Sequence, residues 1–112
     1  DMVVRDALLA YIKDQNAYVR CTIIEAIGEL AKSGDAIAIA ALSARLQDEC
    51  LEVRSAALAA MVTLSRRSDQ QGKQELVRAA VVCFADRCPD LRHDALSLIR
   101  EVSRVDDEQT IN

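Results

Sequence analysis

Few side chains in this chain can do chemistry, and their spacing limits what that chemistry would be. There is one histidine, His93, followed by Asp94, and there are four cysteines, Cys21, Cys50, Cys83 and Cys88. A structural zinc site draws its ligands from close pairs, usually about two to four residues apart. Cys83 and Cys88 have four residues between them, and Cys21 and Cys50 stand alone. The pattern therefore reads as four reduced thiols, with no metal site. Gly28, Gly34 and Gly72 are isolated, so no Gly-rich loop is available to cradle a phosphate. No catalytic residue and no cofactor are expected.

What does recur is an aspartate followed six residues later by an arginine: Asp14 and Arg20, Asp48 and Arg54, Asp86 and Arg92. Each arginine is the second residue of a twelve-residue window, and the three windows align without gaps. They are Val19 to Leu30 (VRCTIIEAIGEL), Val53 to Leu64 (VRSAALAAMVTL) and Leu91 to Val102 (LRHDALSLIREV). Apolar residues fill the fifth, sixth, eighth, ninth and twelfth positions of each. Spacings of three and four make one apolar stripe along an α-helix. The first two copies are offset by 34 residues and the next two by 38. The four extra residues are expected in a loop within the polar stretch Ser65 to Lys73.

These windows predict second helices over 17–32, 51–66 and 89–104. Upstream of each aspartate a first helix is predicted, over 2–13, 36–47 and 74–85. Leu8 and Ile12 align there with Leu42 and Leu46, and with Ala80 and Phe84. Pro89 suits the first turn of a helix, where its missing N–H is not needed. Gly34 suits a C-terminal cap, and Asp35 can cap the next N-terminus. One hairpin cannot cover its own apolar face, but three stacked in register can. The expected domain is 1–105, with repeats at about 1–34, 35–68 and 69–105, and a frayed polar tail at 106–112. Composition agrees, because 51% of the 112 residues are hydrophobic but only 3% aromatic, which suits close-packed helices. With 3 Gly and 1 Pro the chain lacks the turns of a β-sandwich.

An aspartate in the turn, an aliphatic–Arg pair and an alanine-rich second helix together resemble the HEAT repeat, closest to the short, bilin-lyase-type variety. The resemblance covers all but the last few residues. It implies an all-α, right-handed α-solenoid of three HEAT-like hairpins, about six helices. It also implies a structural ladder, in which Arg20, Arg54 and Arg92 bond Asp14, Asp48 and Asp86 of their own or adjacent repeats. The rival reading is a row of arginines that binds anions, which the neighbouring aspartates would neutralise. Members of the family serve many unrelated functions, so fold alone names no activity. With layers about 8–10 Å apart, Cys21 and His93 should be too distant to form a dyad. Cys50 and Cys88, in adjacent layers, exceed the roughly 4.4–6.8 Å that a disulfide spans.

The remaining positions of the windows are candidates for binding. On the concave side they include Thr22, Glu25 and Glu29, then Ser55, Ala59 and Thr63, then His93, Ser97 and Glu101. The strip is polar and acidic at both ends and small in the middle, which suits a protein or peptide partner, by preference a basic one. Its rival is a merely solvated face. A net charge of −4 disfavours nucleic acid, and no apolar run is long enough to span a membrane. Helices 2–13 and 74–85 carry more apolar residues than the ends of a sealed solenoid need, so one end of the stack is expected to be unsealed, either because the chain, which starts at Asp1, is a segment of something longer or because it self-associates end to end. The function expected is a non-enzymatic interaction or scaffold module in the cytoplasm. The alternative is an accessory domain of an enzyme or a bilin-lyase-like protein.

Overall fold

In a computed structural model of the protein, residues 2–32, 34–67 and 70–111 are described, with side chains as far as 102 except at 71. They form α1 (Met2–Ala10), α2 (Ala17–Leu30), α3 (Ala36–Arg45), α4 (Leu51–Arg66), α5 (Gln70–Cys83) and α6 (Pro89–Ile111), with no strand among the described residues. The helices pair as α1–α2, α3–α4 and α5–α6, and the pairs stack as an α-solenoid.

The first helix of every pair ends sooner than its apolar pattern predicts. Its last turn tightens instead: the N–H groups of Tyr11, Leu46 and Phe84 donate to carbonyls three residues back, at Leu8, Ser43 and Val81. Such 3₁₀-type closure uses carbonyls that an α-helix would leave unpaired at its end. An Asx turn follows in each case. Oδ1 of Asp14, Asp48 and Asp86 accepts from the backbone N–H two residues on, at Asn16, Cys50 and Cys88, over 2.8–2.9 Å. A short carboxylate side chain is well suited to this bend.

Local caps set the remaining helix ends. Asn16 accepts from the N–H groups of Tyr18 and Val19 at the start of α2, and Asp35 does the same for Ile37 and Ala38 at the start of α3. Gly34 precedes that cap with φ at +79°, a conformation other residues seldom adopt. Arg5 of α1 donates to both carboxylate oxygens of Asp35, at 2.9 and 3.1 Å, tying the first helix to the second hairpin. Arg67 reaches back to the carbonyls of Gly28 and Glu29 and completes the C-terminal end of α2.

Two expected boundaries differ from the structure. The four residues that separate the 38-residue offset from the 34-residue one are not in a loop. Instead α5 starts at Gln70 and has 14 residues where α3 has 10. This added turn precedes Leu76, the first described side chain of α5 to be buried, and so leaves the apolar face as it is in the other hairpins. At the other end α6 runs to Ile111, past the boundary expected at 105.

The core is aliphatic, with Ile24, Ile27, Leu42, Val53 and Leu91 fully buried and Ala38, Ala57, Ala80 and Ala95 between them. Helix α4 is its centre, lying against α2, α3 and α5, whereas α6 packs chiefly on α5. The approach of α2 to α4 depends on Gly28. A Cβ built there would lie 2.9 Å from Cβ of Ala60 and 3.1 Å from its Cα. Those neighbours are rigid, so a larger residue must move a helix. Gly28→Val is expected to lower stability by about 1–3 kcal/mol, although valine is the better helix former. Urea denaturation measures this, and adding Ala60→Gly should recover part of the loss.

Candidate functional site

The recurrent aspartates and arginines meet across the hairpins. Arg20 donates from Nε and Nη2 to Asp48 of the next hairpin, 3.0 Å each, and from Nη1 to the carbonyls of Asp14 and Gln15 in its own. Arg54 repeats the arrangement one layer on, bonding Asp86 at 2.8 and 3.1 Å and the carbonyls of Asp48 and Glu49. Each guanidinium thus fills both edges of its fork, one with a carboxylate and one with the turn backbone. Arg92 has the second half alone, donating from Nη1 to the carbonyl of Asp86 at 2.6 Å. No guanidinium of a described residue reaches Asp14.

Both complete pairs are shielded, with side chains 4–9% exposed. Burial by itself would raise the pKa of the Asp48 carboxyl, but the Cys50 N–H and the Arg20 guanidinium more than offset it, and the pKa lies below the ordinary value. At Asp86 burial is likewise outweighed, here by Arg54 and the Cys88 N–H. Arg20 and Arg54 are pushed up in turn by their hydrogen bonds to Asp48 and Asp86. With donors and acceptors matched in this way, these arginines have no edge left for an anion.

The residues of the second-helix strip do not all come together. Thr22, Glu25, Glu29, Thr63 and His93 are exposed along α2, α4 and α6. The hydroxyls of Thr22 and Thr63 donate to the carbonyls four residues back, at Tyr18 and Ala59. Ser55, Ala59, Ser97 and Glu101, by contrast, line one groove of about 270 Å³ between α4 and α6. Its floor is apolar, made by Leu58, Val62, Leu91 and Leu98, and Asp94 adds a second carboxylate to the rim. The groove continues past Val62, Leu98 and Glu101 into a second hollow of about 280 Å³, bounded by Arg66, Lys73, Leu76 and Val102.

The groove has a simple steric origin. Between α2 and α4 the close contact is Gly28 on Ala60. The equivalent positions one layer on are Val62 and Leu98, and both of these larger side chains line the groove. Bulk at that crossing holds α6 off α4 and leaves Val62 and Leu98 partly exposed. Of the floor residues, Leu58 and Leu98 belong to the apolar stripe read from the sequence. The signal that distinguishes them is the change from Gly–Ala to Val–Leu at one crossing, visible only once the register between hairpins is known.

A family profile described as HEAT repeats matches residues 5–86. The chain belongs to the HEAT repeat family. HEAT repeats generally mediate protein–protein interaction and scaffolding, and the family is typically non-enzymatic. No curated protein matches this chain significantly. Among its described residues no three of His, Cys, Asp or Glu converge as metal ligands, and no helix is long and apolar enough to cross a membrane.

Two predictions follow from this HEAT framework. Arg54→Ala strands the buried carboxylate of Asp86 and should cost about 3–5 kcal/mol, while Arg92→Ala, with no carboxylate to strand, should cost under about 1 kcal/mol. Chemical denaturation of the two variants distinguishes them. The second concerns acid. Asp35, Asp48 and Asp86 have lowered pKa values when folded, so the stability they add is complete above the unfolded value of about 3.9 and is lost as pH falls through the folded values. Urea midpoints should therefore hold from neutral pH to about pH 5 and fall below it, less steeply in Asp86→Asn.

Proposed function

We propose that the chain is a non-enzymatic protein-interaction module that takes a peptide segment of its partner into the groove between α4 and α6. The observation that carries this reading is a groove between α4 and α6 with an apolar lining, in which Val62 and Leu98 are partly exposed above the buried Leu58 and Leu91. An open apolar trough with polar rims is the form in which helix-in-groove recognition is usually built. Ser55, Ala59 and Ser97 are small enough to let a partner backbone approach.

Charge orients the partner in this proposal. Asp94 and Glu101 flank the trough and, with Glu25 and Glu29 on the same side of the stack, favour basic residues beside the apolar anchors. Arg66 and Lys73 at the far end favour an acidic terminus there. The strip of Thr22, Thr63 and His93 then forms the polar rim around the trough. A reducing, cytoplasmic setting belongs to the same reading, since Cys83 is buried in the core as a small apolar side chain and burial raises its thiol to about 11.

The test is selection of peptides from a random display library on the wild-type protein, followed by affinity measurement on groove variants. Ala59→Trp fills the trough from an exposed position, so it should weaken the selected peptides at least about tenfold while the melting temperature stays unchanged. Glu101→Lys should weaken them severalfold, and more at low salt. Peptides that bind Ala59→Trp as well as wild type would place the binding surface elsewhere.

A further inference from the structure

The exposure of equivalent residues shows which face of each hairpin meets its neighbour. Val53 and Leu91 open the windows of α4 and α6 and are buried, whereas Val19, in the same place on α2, is 36% exposed. This column faces the preceding hairpin, and among the described residues no hairpin precedes the first. Ile24 and Leu58 are buried, whereas their equivalent Leu96 is 51% exposed, so this column faces the following hairpin. The turns repeat the contrast. Cys83 is buried where Tyr11 is 66% exposed, and Ile12 and Leu46 are buried where Phe84 is 36% exposed. One end of the stack therefore presents Tyr11 and Val19 and the other Phe84 and Leu96, the two halves of the contact that joins the hairpins internally.

The polar framework is open in the same way. Arg92 is already anchored through Nη1 on the carbonyl of Asp86, as Arg20 and Arg54 are anchored on their own turns. Its Nε and Nη2, the donors with which the other two arginines grip the next aspartate, have no acceptor among the described residues. Asp14 is shaped by its Asx turn like Asp48 and Asp86 but lacks their arginine. The cation is at one end and the anion at the other, each with the geometry its counterpart has inside the stack.

We infer that two copies of this chain associate head to tail, the α1–α2 end of one docking on the α5–α6 end of the other. Arg92 then donates its free edge to Asp14 of the second copy, and Leu96 and Phe84 pack against that copy's Val19 and Tyr11. A second copy fits because it presents both the turn carboxylate and the apolar column that the α5–α6 end lacks. The two faces differ, so the contact does not close on itself, and assembly continues beyond the dimer. This surface is separate from the α4–α6 groove.

Sedimentation velocity over a wide concentration range tests this on the intact chain. The weight-average mass should rise with concentration above the 12.3 kDa monomer, without a plateau at twice that value. Arg92→Asp and Asp14→Arg should each weaken association by roughly a hundredfold, and so should Leu96→Glu. Mixing Arg92→Asp with Asp14→Arg should restore open-ended chains in which the two variants alternate, since one junction joins the exchanged charges and the next the native Arg92 and Asp14, and the double variant carrying both exchanges should form open-ended chains by itself. A wild type that stays monomeric throughout would overturn the proposal. So would association that ignores all three substitutions, or a charge-swapped mixture that forms no mixed chains. Circular dichroism of each variant confirms that a loss of mass reports on the interface and not on the fold.

Discussion

The bridge made by one guanidinium between two hairpins is the interaction on which this molecule depends. An arginine at the start of each second helix must satisfy five donors close to the core, where unpaired polar groups are costly. It does so by joining the carbonyls of its own turn to the carboxylate of the next, as Arg20 does with Asp14, Gln15 and Asp48. The aspartate in turn bends its own chain through an Asx turn before receiving the arginine. Each residue therefore has two tasks, shaping its own hairpin and fixing the register of its neighbour. Apolar packing between alanines and aliphatic side chains is comparatively indifferent to small slips along the stack. The directional bonds are not, and they specify how far one layer is displaced from the next.

Within that frame, the spacing between layers is adjusted by side-chain size at a single crossing. Gly28 against Ala60 lets α2 and α4 close together, and Val62 with Leu98 holds α4 and α6 apart. The buried pair Arg54 and Asp86 is nevertheless intact at the second junction. The hairpins can therefore be hinged at their turns by the ladder and opened along the helices by bulk. A trough arises without any loss of the polar framework, which is why a surface for a partner can vary while the stack persists.

How much of this was legible in the sequence depends on whether a feature lies within one repeat or between two. The aspartate, the arginine and the apolar stripe recur in every window, so the helical hairpins and their number of helices follow from periodicity alone. The partner of each arginine did not, because spacing puts Arg20 nearest Asp14 of its own turn and only the stacking of layers brings Asp48 to it. The polar stretch around Gln70 to Lys73 has the composition of a loop, yet it forms the first turn of α5, ahead of the buried stripe that begins at Leu76. Of the strip chosen as a binding face, Ser55, Ala59, Ser97 and Glu101 share a groove and Thr22, Glu25, Glu29, Thr63 and His93 do not line it. Leu98 looks like an ordinary core position, and only its place at a widened crossing leaves it partly exposed.

The polarity of the ladder has an electrical consequence. Arg20 and Arg54 each reach toward the following layer, where Asp48 and Asp86 receive them, so each of these rungs sets a positive charge before a negative one along the same axis. The helix dipoles of a hairpin run antiparallel and largely cancel, but the displaced charges of the ladder all point one way. The rungs thus polarise the stack in one sense, and the charges of Asp14 at the first turn and Arg92 at the last, separated by its whole length, oppose them.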